Sequence, residues 1–171
     1  MPAQNYNINT RNAVVGQTYG IHYAAKVVDS WELEANVDAN DLLNYGEPLL
    51  RTGSRSCSNF AGVAADQDVA GFAIRQVHRE NDNRPAIGNA LYDNEASYKV
   101  GNTVAVLRSG AVQVLLAETV AVGGAVFYDP VGRTYQATAT TPTAYELTNC
   151  KYDAAGAAGE IVPLRIITMI A

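Results

Sequence analysis

The stretch Gly101-Asn-Thr-Val-Ala-Val-Leu-Arg-Ser-Gly-Ala-Val-Gln-Val-Leu115 decides the fold. β-branched and small apolar residues lie on both sides of Ser109-Gly110, a pair that favours a tight turn between two strands. Such a turn places four apolar side chains on one face: Leu107, Val112, Ala105 and Val114. Arg108 and Gln113 fall on the opposite face. The sequence therefore predicts an antiparallel hairpin with one strongly apolar side, which must pack against further sheet.

After this stretch, short apolar segments alternate with turn signals. Further strands are predicted at residues 71–78, 125–128, 133–140, 144–151 and 161–170. Asp129-Pro-Val-Gly132 is typical of a turn, and Pro163 near the start of the last segment predicts an edge strand or a bulge. Short strands at regular spacing indicate an all-β fold, an antiparallel β-sandwich or barrel.

The first sixty residues give weaker signals. Residues 1–20 are rich in Asn, Thr, Gln and Gly and predict an extended, irregular arm. Residues 21–37 favour a strand over a helix because Trp31 and Leu33 alternate with polar neighbours. Residues 38–60 predict loop, with a single helical turn near residues 38–44 as the alternative. We therefore expect an N-terminal arm and loop-rich segment over residues 1–60 and a β-barrel or sandwich domain over residues 61–171.

Composition and charge exclude several classes of function. The chain has 171 residues, a net charge of −5 and a pI near 4.9, so it lacks the basic field that binds nucleic acid. No apolar run approaches the roughly 20 residues of a membrane span. The N-terminus has neither a basic nor an apolar signal region, so we expect synthesis in a cytoplasm without secretion.

The sequence contains no motif for catalysis, metal binding or cofactor binding. Cys57 and Cys150 are predicted to be free thiols because neither lies at ligand spacing. The two histidines are His22 and His78, and His78 is interpreted as a lone surface residue at a strand end. Runs of acidic and amide residues lack calcium-loop spacing. The sequence therefore predicts a protein without enzymatic activity and without a cofactor.

Several segments, in one order, resemble a known family. They are Gly71-Phe-Ala-Ile-Arg, Tyr98-Lys-Val-Gly-Asn-Thr-Val-Ala-Val-Leu-Arg-Ser-Gly110, Val120-Ala-Val-Gly-Gly-Ala-Val-Phe-Tyr128 and an Ala/Gly loop before the last strand. The pattern is similar to the structural cement (capsid decoration) proteins of tailed bacteriophages. Asn102 and Gly124 stand where that family has Asp, and both residue types are compatible with a turn. The resemblance covers roughly residues 60–171.

The resemblance implies a structural virion protein on the capsid surface, made in the host cytoplasm. Such a protein binds the outside of an assembled capsid and ties neighbouring subunits of the major capsid protein together. A ligand that binds the shell and not its dissociated subunits stabilises the shell by mass action. The resemblance also implies self-association as a homotrimer or a homodimer, with no nucleic acid and no membrane as partner.

Candidate capsid-contact residues come from the polar first sixty positions. The arm is expected to reach a second subunit, Trp31 and Tyr45 to supply aromatic contacts, and Arg51 and Arg55 to meet coat carboxylates. The candidate residues are Asn5, Tyr6, Arg11, Trp31, Tyr45, Arg51 and Arg55. Deleting residues 1–20 is expected to abolish capsid binding and leave the β domain folded.

An alternative is a carbohydrate- or receptor-binding β-sandwich module of a virion. It requires aromatic side chains along one face, and the candidates are Tyr92, Tyr98, Tyr128 and Tyr135. A small hydrolase on a β-barrel is a third interpretation, which the absence of a recognisable site disfavours.

Overall fold

The computed structural model of the protein describes residues 15–16, 18, 27–35, 43–60, 69–74, 97–98, 100–139 and 144–167. These residues form twelve β-strands and no helix, which confirms the all-β prediction. The strands are β1 (Val27–Ala35), β2 (Leu43–Asn44), β3 (Pro48–Arg51), β4 (Ser56–Asn59), β5 (Val69–Ala73), β6 (Ser97–Tyr98), β7 (Thr103–Leu115), β8 (Phe127–Asp129), β9 (Thr134–Gln136), β10 (Tyr145–Glu146), β11 (Cys150–Tyr152) and β12 (Ile161–Ile166).

Five strands close into a barrel in the order β1, β4, β3, β5, β7 and back to β1. The β1–β4 pairing is parallel, and the other pairings around the ring are antiparallel. Side chains alternate between the two faces of a strand, so Trp31 and Leu33 share the inner face of β1. The buried cluster that fills the barrel consists of Trp31, Leu33, Leu43, Tyr45, Leu49, Cys57, Ala70, Ala73, Tyr98, Val104 and Val106.

A second hydrophobic core lies beside the barrel. The second half of β7 pairs with β12, and β12 pairs with β11. Strands β8, β9 and β10 form a separate three-stranded sheet. Their buried residues form one cluster with Phe72, Ala105 and Leu107, which lie on the outer face of the barrel. The barrel is therefore packed both inside and on this part of its outside.

The hairpin prediction at Ser109-Gly110 is wrong, because β7 runs through these residues as one strand of 13 residues. Ser109 pairs with Val27 of β1, and Gly110 pairs with Ile166 of β12. Gly110 has a φ of 125°, a conformation open to glycine at little cost. The two halves of the stretch do not fold back on each other because each half finds its partner strands elsewhere in the chain.

The predicted apolar face of this stretch is nevertheless confirmed. Ala105, Leu107, Val112 and Val114 all belong to the second core, while Val104 and Val106 face the barrel interior. In a regular strand, odd and even residues face opposite sides. The register of β7 on β1 passes from the Val28–Leu107 pair directly to the Val27–Ser109 pair. Arg108 is therefore an extra residue that forms a bulge, bends the strand and shifts the facing of β7 by one residue.

The loop prediction for residues 38–60 is wrong over β2, β3 and β4, and residues 38–42 of this segment lie outside the described residues. The turn-forming residues are concentrated in two short turns, at residues 45–47 and 52–55. Leu49 lies between these turns and Cys57 follows the second, and both side chains pack inside the barrel. Strand β3 pairs with both β4 and β5. The seven-stranded sheet thus joins strands from both sides of residue 60.

The edge prediction for Pro163 is also wrong, because β12 lies between β7 and β11. The Pro163 carbonyl accepts a 2.9 Å hydrogen bond from the Asp153 N–H. The N–H and C=O of one strand residue point to the same side of the strand. An N–H at position 163 would therefore point towards Asp153 and away from β7. Asp153 comes directly after Tyr152, which forms the last β11–β12 pair with Leu164. The β7–β12 ladder therefore does not need the donor that proline lacks.

Substituting Gly71 should destabilise the barrel strongly. A Cβ at Gly71 would lie 2.5 Å from the Leu107 carbonyl oxygen and 2.6 Å from Val106 Cγ1, and the φ of this residue is 147°. Gly71→Ala is expected to lower the free energy of unfolding by about 3 kcal/mol, measured by urea denaturation. The matched control is Gly101→Ala, whose methyl group meets nothing within 4 Å and should cost about 1 kcal/mol. Equal losses in the two variants would contradict the proposed close packing of β5 on β7.

Candidate functional site

Residues 45–47 connect the barrel to the three-stranded sheet. The Gly46 N–H donates a 2.7 Å hydrogen bond to the Ala73 carbonyl, and the Ala73 N–H donates a 2.9 Å bond to the Glu47 carbonyl. The hydroxyl of Tyr135, on β9, donates a hydrogen bond to the Gly46 carbonyl. A short turn of the barrel is therefore bonded both to β5 and to the second core.

Glu47 is a buried acid at this junction. The residue is 5% exposed; its Oε1 accepts a 2.8 Å hydrogen bond from Asn44 Nδ2 and lies 3.7 Å from Arg133 Nη1. Burial raises the pKa of Glu47 to about 7, although the hydrogen bonds from Asn44 act in the opposite direction. A carboxyl group that titrates near neutral pH thus lies where the two cores meet.

Part of the predicted N-terminal arm lies against the barrel. The Gly16 N–H donates a 2.8 Å hydrogen bond to the Gln113 carbonyl, and Thr18 forms an antiparallel bridge with Val112. Gly16 also packs against Tyr45, because a Cβ at Gly16 would lie only 2.2 Å from the Tyr45 Cβ. Residues 16 and 18 therefore pair with the second half of β7.

The structure describes four of the seven predicted contact residues. Asn5, Tyr6 and Arg11 lie outside the described residues. The remaining four are Trp31, Tyr45, Arg51 and Arg55. Trp31 and Tyr45 are each 4% exposed and belong to the barrel core, so their side chains do not form part of the outer surface. In the sequence, Trp31 and Leu33 alternate with the polar residues Glu32 and Glu34. This alternation indicates that Trp31 and Leu33 lie on the same, buried face.

The two arginines differ in their surroundings. The guanidinium carbon of Arg51 lies 5.1 Å from the centre of the Trp31 ring, a cation–π geometry. Arg51 is half-buried, whereas Arg55 is exposed in the turn between β3 and β4. Among the described candidates, Arg55 is therefore the side chain most available to a partner, and its role in capsid contact stays a prediction.

The tyrosines proposed for a carbohydrate-binding face are buried. Tyr98, Tyr128 and Tyr135 all lie in the hydrophobic cores, and Tyr92 is outside the described residues. The Tyr98 hydroxyl donates a 2.7 Å hydrogen bond to the Ile74 carbonyl. Burial raises the pKa of Tyr128 and Tyr135 far above the ordinary value. The prediction that these three residues form an exposed aromatic face is wrong, since their rings supply core volume.

The described residues show no grouping suited to metal chemistry. Cys57 and Cys150 are free, as predicted, and both are buried. Burial raises the pKa of each thiol to about 12. No cluster of three or more metal-ligating side chains occurs among the described residues. His22 and His78 lie outside them. Within the described part of the chain, no helix has the length and apolarity needed to cross a bilayer.

One end of the barrel carries a surface that the sequence did not indicate as a unit. The Glu32 N–H donates a 2.9 Å hydrogen bond to the Arg55 carbonyl on one side of β1. On the other side, the Leu33 N–H donates a 3.0 Å bond to Asn102, and the Gly101 N–H donates a 2.8 Å bond to Leu33. We call the exposed side chains of Glu32, Glu34, Arg55 and Val100 at this end the barrel rim.

Comparison with solved structures shows a similar fold. A chain in a solved structure described as "The capsid of Myoviridae Phage XM1" has a TM-score of 0.63 to this protein. The two chains are 16% identical, over 98% of this chain and 99% of that chain. At this identity the likeness shows the fold, which is that of a β-barrel chain from a phage capsid structure. A search of curated proteins gave no match.

The family follows from the sequence. The family model described as "Structural cement protein (E217 gp24/Pam3 gp6)" matches residues 1–167. The chain therefore belongs to the structural cement protein family, and the resemblance stated from its turn and strand motifs is confirmed. The match also includes the first sixty residues, where those motifs carried no resemblance. The protein has a structural role in a phage capsid, is located in the virion and interacts with capsid proteins.

The buried position of Glu47 should make stability depend on pH. The folded state keeps this carboxyl protonated up to about pH 7, whereas the ordinary pKa of a glutamate is 4.5. Its contribution is therefore complete below about pH 4.5 and is lost as the pH rises through 7. Relative to Glu47→Gln, the wild type is expected to lose up to about 3 kcal/mol of unfolding free energy between pH 5 and 8.

Urea denaturation of both proteins at four pH values measures this difference. The control is Glu146→Gln, because Glu146 is exposed on β10 and its substitution should leave the pH profile of the wild type unchanged. Parallel profiles for the wild type and Glu47→Gln would show that Glu47 does not titrate in this range.

Proposed function

We propose that this protein binds the outer surface of an assembled phage capsid and stabilises it by bridging neighbouring subunits of the major capsid protein. The observation that carries the proposal is the family match over residues 1–167. The described structure supports it, because a closed barrel with a second core gives a rigid body. A rigid body loses little conformational entropy on binding.

The physical basis is linkage between binding and assembly. A protein that binds only when two coat subunits are adjacent favours the state in which they are adjacent. Many copies on one shell add their effects, because each bridged subunit is also held by its other neighbours. The contribution of each site can therefore be modest while the whole shell gains substantial stability.

We further propose that the N-terminal segment and Arg55 contribute to coat contact. Gly16 and Thr18 pair with β7, and we assign coat contact to the preceding residues 1–14, which include Asn5, Tyr6 and Arg11. Arg55 supplies an exposed guanidinium for a coat carboxylate. Self-association as a homotrimer or homodimer would place several arms around one local symmetry axis.

Co-sedimentation with purified capsids that lack this protein tests the proposal. The full chain is expected to bind the shells at saturable stoichiometry and to raise the temperature at which they dissociate. Binding to isolated coat subunits should be much weaker, since those subunits do not present two sites side by side. Equal affinity for shells and isolated subunits would contradict a bridging role.

A deletion of residues 1–14 tests the part played by the arm. It should reduce shell occupancy by at least about tenfold and leave the melting temperature of the isolated protein unchanged. A deletion of residues 1–20 is the matched comparison, because it also removes the Gly16–Gln113 hydrogen bond and should lower that melting temperature. Unchanged occupancy after the shorter deletion would exclude the arm from coat contact.

A further inference from the structure

Strands β11 and β12 end the seven-stranded sheet, and one face of this strand pair points away from the second core. The residues on either side of Lys151 and Arg165 belong to that core: Cys150, Tyr152, Leu164 and Ile166. Because side chains alternate along a strand, Lys151 and Arg165 lie on the outer face. The Ile167 N–H donates a 2.8 Å hydrogen bond to the Asn149 carbonyl, so the pairing continues and Ile167 shares this face. We call Lys151, Arg165 and Ile167 the edge face.

The edge face holds two positive charges at directly opposite positions. Lys151 is the cross-strand partner of Arg165, and like charges placed in this way destabilise a sheet. Among the described residues, Lys151 forms no ion pair, whereas Arg165 binds Asp153 Oδ1 through its Nε at 3.0 Å. The two terminal nitrogens of a guanidinium carry further N–H donors. Both cations therefore have donors for a carboxylate from outside the described part of the chain.

The charge of this face differs from that of the protein as a whole. The chain has a net charge of −5. Elsewhere in the described structure, Arg108 pairs with Asp29 at 2.8 Å. Arg133 likewise faces Glu47 at 3.7 Å. The edge face instead has two cations for one acid, so an acidic partner is attracted here and repelled by the average surface of the chain.

An exposed apolar side chain lies beside the two cations. Ile167 is 50% exposed and follows Arg165 by two residues on the same face, which is a distance of roughly 7 Å along a strand. Protein interfaces combine apolar contact with charged and polar groups around it. The edge face therefore offers a partner both an apolar contact and two hydrogen-bonding cations.

A protein that bridges two coat subunits requires two separate contact surfaces. Arg55 lies in the turn between β3 and β4 of the barrel, whereas β12 separates β11 from the barrel. We infer that the edge face is a second coat contact, in which Lys151 and Arg165 bind an acidic segment of the major capsid protein beside Ile167. This inference rests on the proposed function and names the chemistry of one of its contacts. A coat carboxylate between the two cations would relieve their mutual repulsion, which the free chain retains.

Carbodiimide cross-linking of decorated shells tests the inference. This reagent joins a lysine amine to a carboxylate that is in contact with it. The full chain, bound to purified capsids that lack this protein, should give a peptide in which Lys151 is linked to an acidic residue of the major capsid protein. Lys151→Arg keeps the charge and should still bind shells, but this cross-link is then lost. Cross-links of Lys151 that reach only its own chain or a second copy would overturn the inference.

Charge reversal should change stability and binding in opposite directions. Lys151→Glu places an acid opposite Arg165 and should raise the melting temperature of the isolated protein by about 2 °C. The same variant should bind shells roughly 10- to 100-fold more weakly. Ile167→Ser should weaken shell binding about fivefold, because the exposed half of the side chain no longer gains burial.

A matched control separates this contact from an effect of net charge. Lys151→Gln and Val131→Glu each lower the net charge by one, and Val131 is 78% exposed in the turn between β8 and β9. Lys151→Gln should weaken shell binding about tenfold, whereas Val131→Glu should leave it unchanged. Equal losses in these two variants would contradict a specific contact at the edge face.

The same assay separates this inference from the proposed function. A wild type that binds no shells would overturn both. Shell binding that is present in the wild type and unchanged in Lys151→Glu would overturn the second coat contact alone and leave the proposed function intact.

Discussion

One strand, β7, takes part in two hydrophobic cores, and the rest of the structure depends on the bend that makes this possible. Its first half closes the barrel between β1 and β5, and its second half joins β12. In a regular strand, residues an odd number of positions apart point to opposite faces. If β7 were regular and Leu107 pointed into the second core, Val112 and Val114 would point away from it. Each apolar side chain misplaced in this way would cost about 2 kcal/mol of burial. The facing changes at Arg108, the extra residue between the Leu107 and Ser109 pairs.

The two cores are connected through a small number of polar contacts. Residues 45–47 bind β5 by backbone hydrogen bonds and receive the Tyr135 hydroxyl from β9. Glu47 lies in the same turn and faces Arg133. Since an acid that is removed from water resists ionisation, this junction couples packing to protonation. Protonation of this buried carboxyl is therefore linked to the packing between the two cores.

Closure of the barrel is consistent with a structural role in a virion. A closed ring leaves few exposed strand edges, and exposed edges promote unspecific pairing with other chains. The second half of β7 lies outside the ring, and residues 16 and 18 pair with it.

The amino-acid sequence by itself determined the all-β class, the approximate positions of β8, β9 and β12, the free cysteines and the membership in the cement family. These features depend on local alternation, turn residues and composition, which are readable without a partner strand. The sequence also predicted that Leu107 and Val112 point to the same face, because both a hairpin turn and a bend in one strand have this result. The sequence did not show which of the two occurs. The residues that pair with Ser109 and Gly110, Val27 and Ile166, lie far away in the sequence.

Only the tertiary structure decided which polar-looking segments belong to the barrel and which aromatic residues are buried. Residues 43–60 resemble loop because their apolar residues are few and separated by turns, yet Leu49 and Cys57 fill the interior once β3 and β4 pair. From the sequence, Trp31 and Tyr45 were predicted to be contact residues, but in the structure both side chains are buried inside the closed barrel. The physical reason is the same in each case: burial and proximity are set by strand pairing between distant residues, which local sequence does not encode.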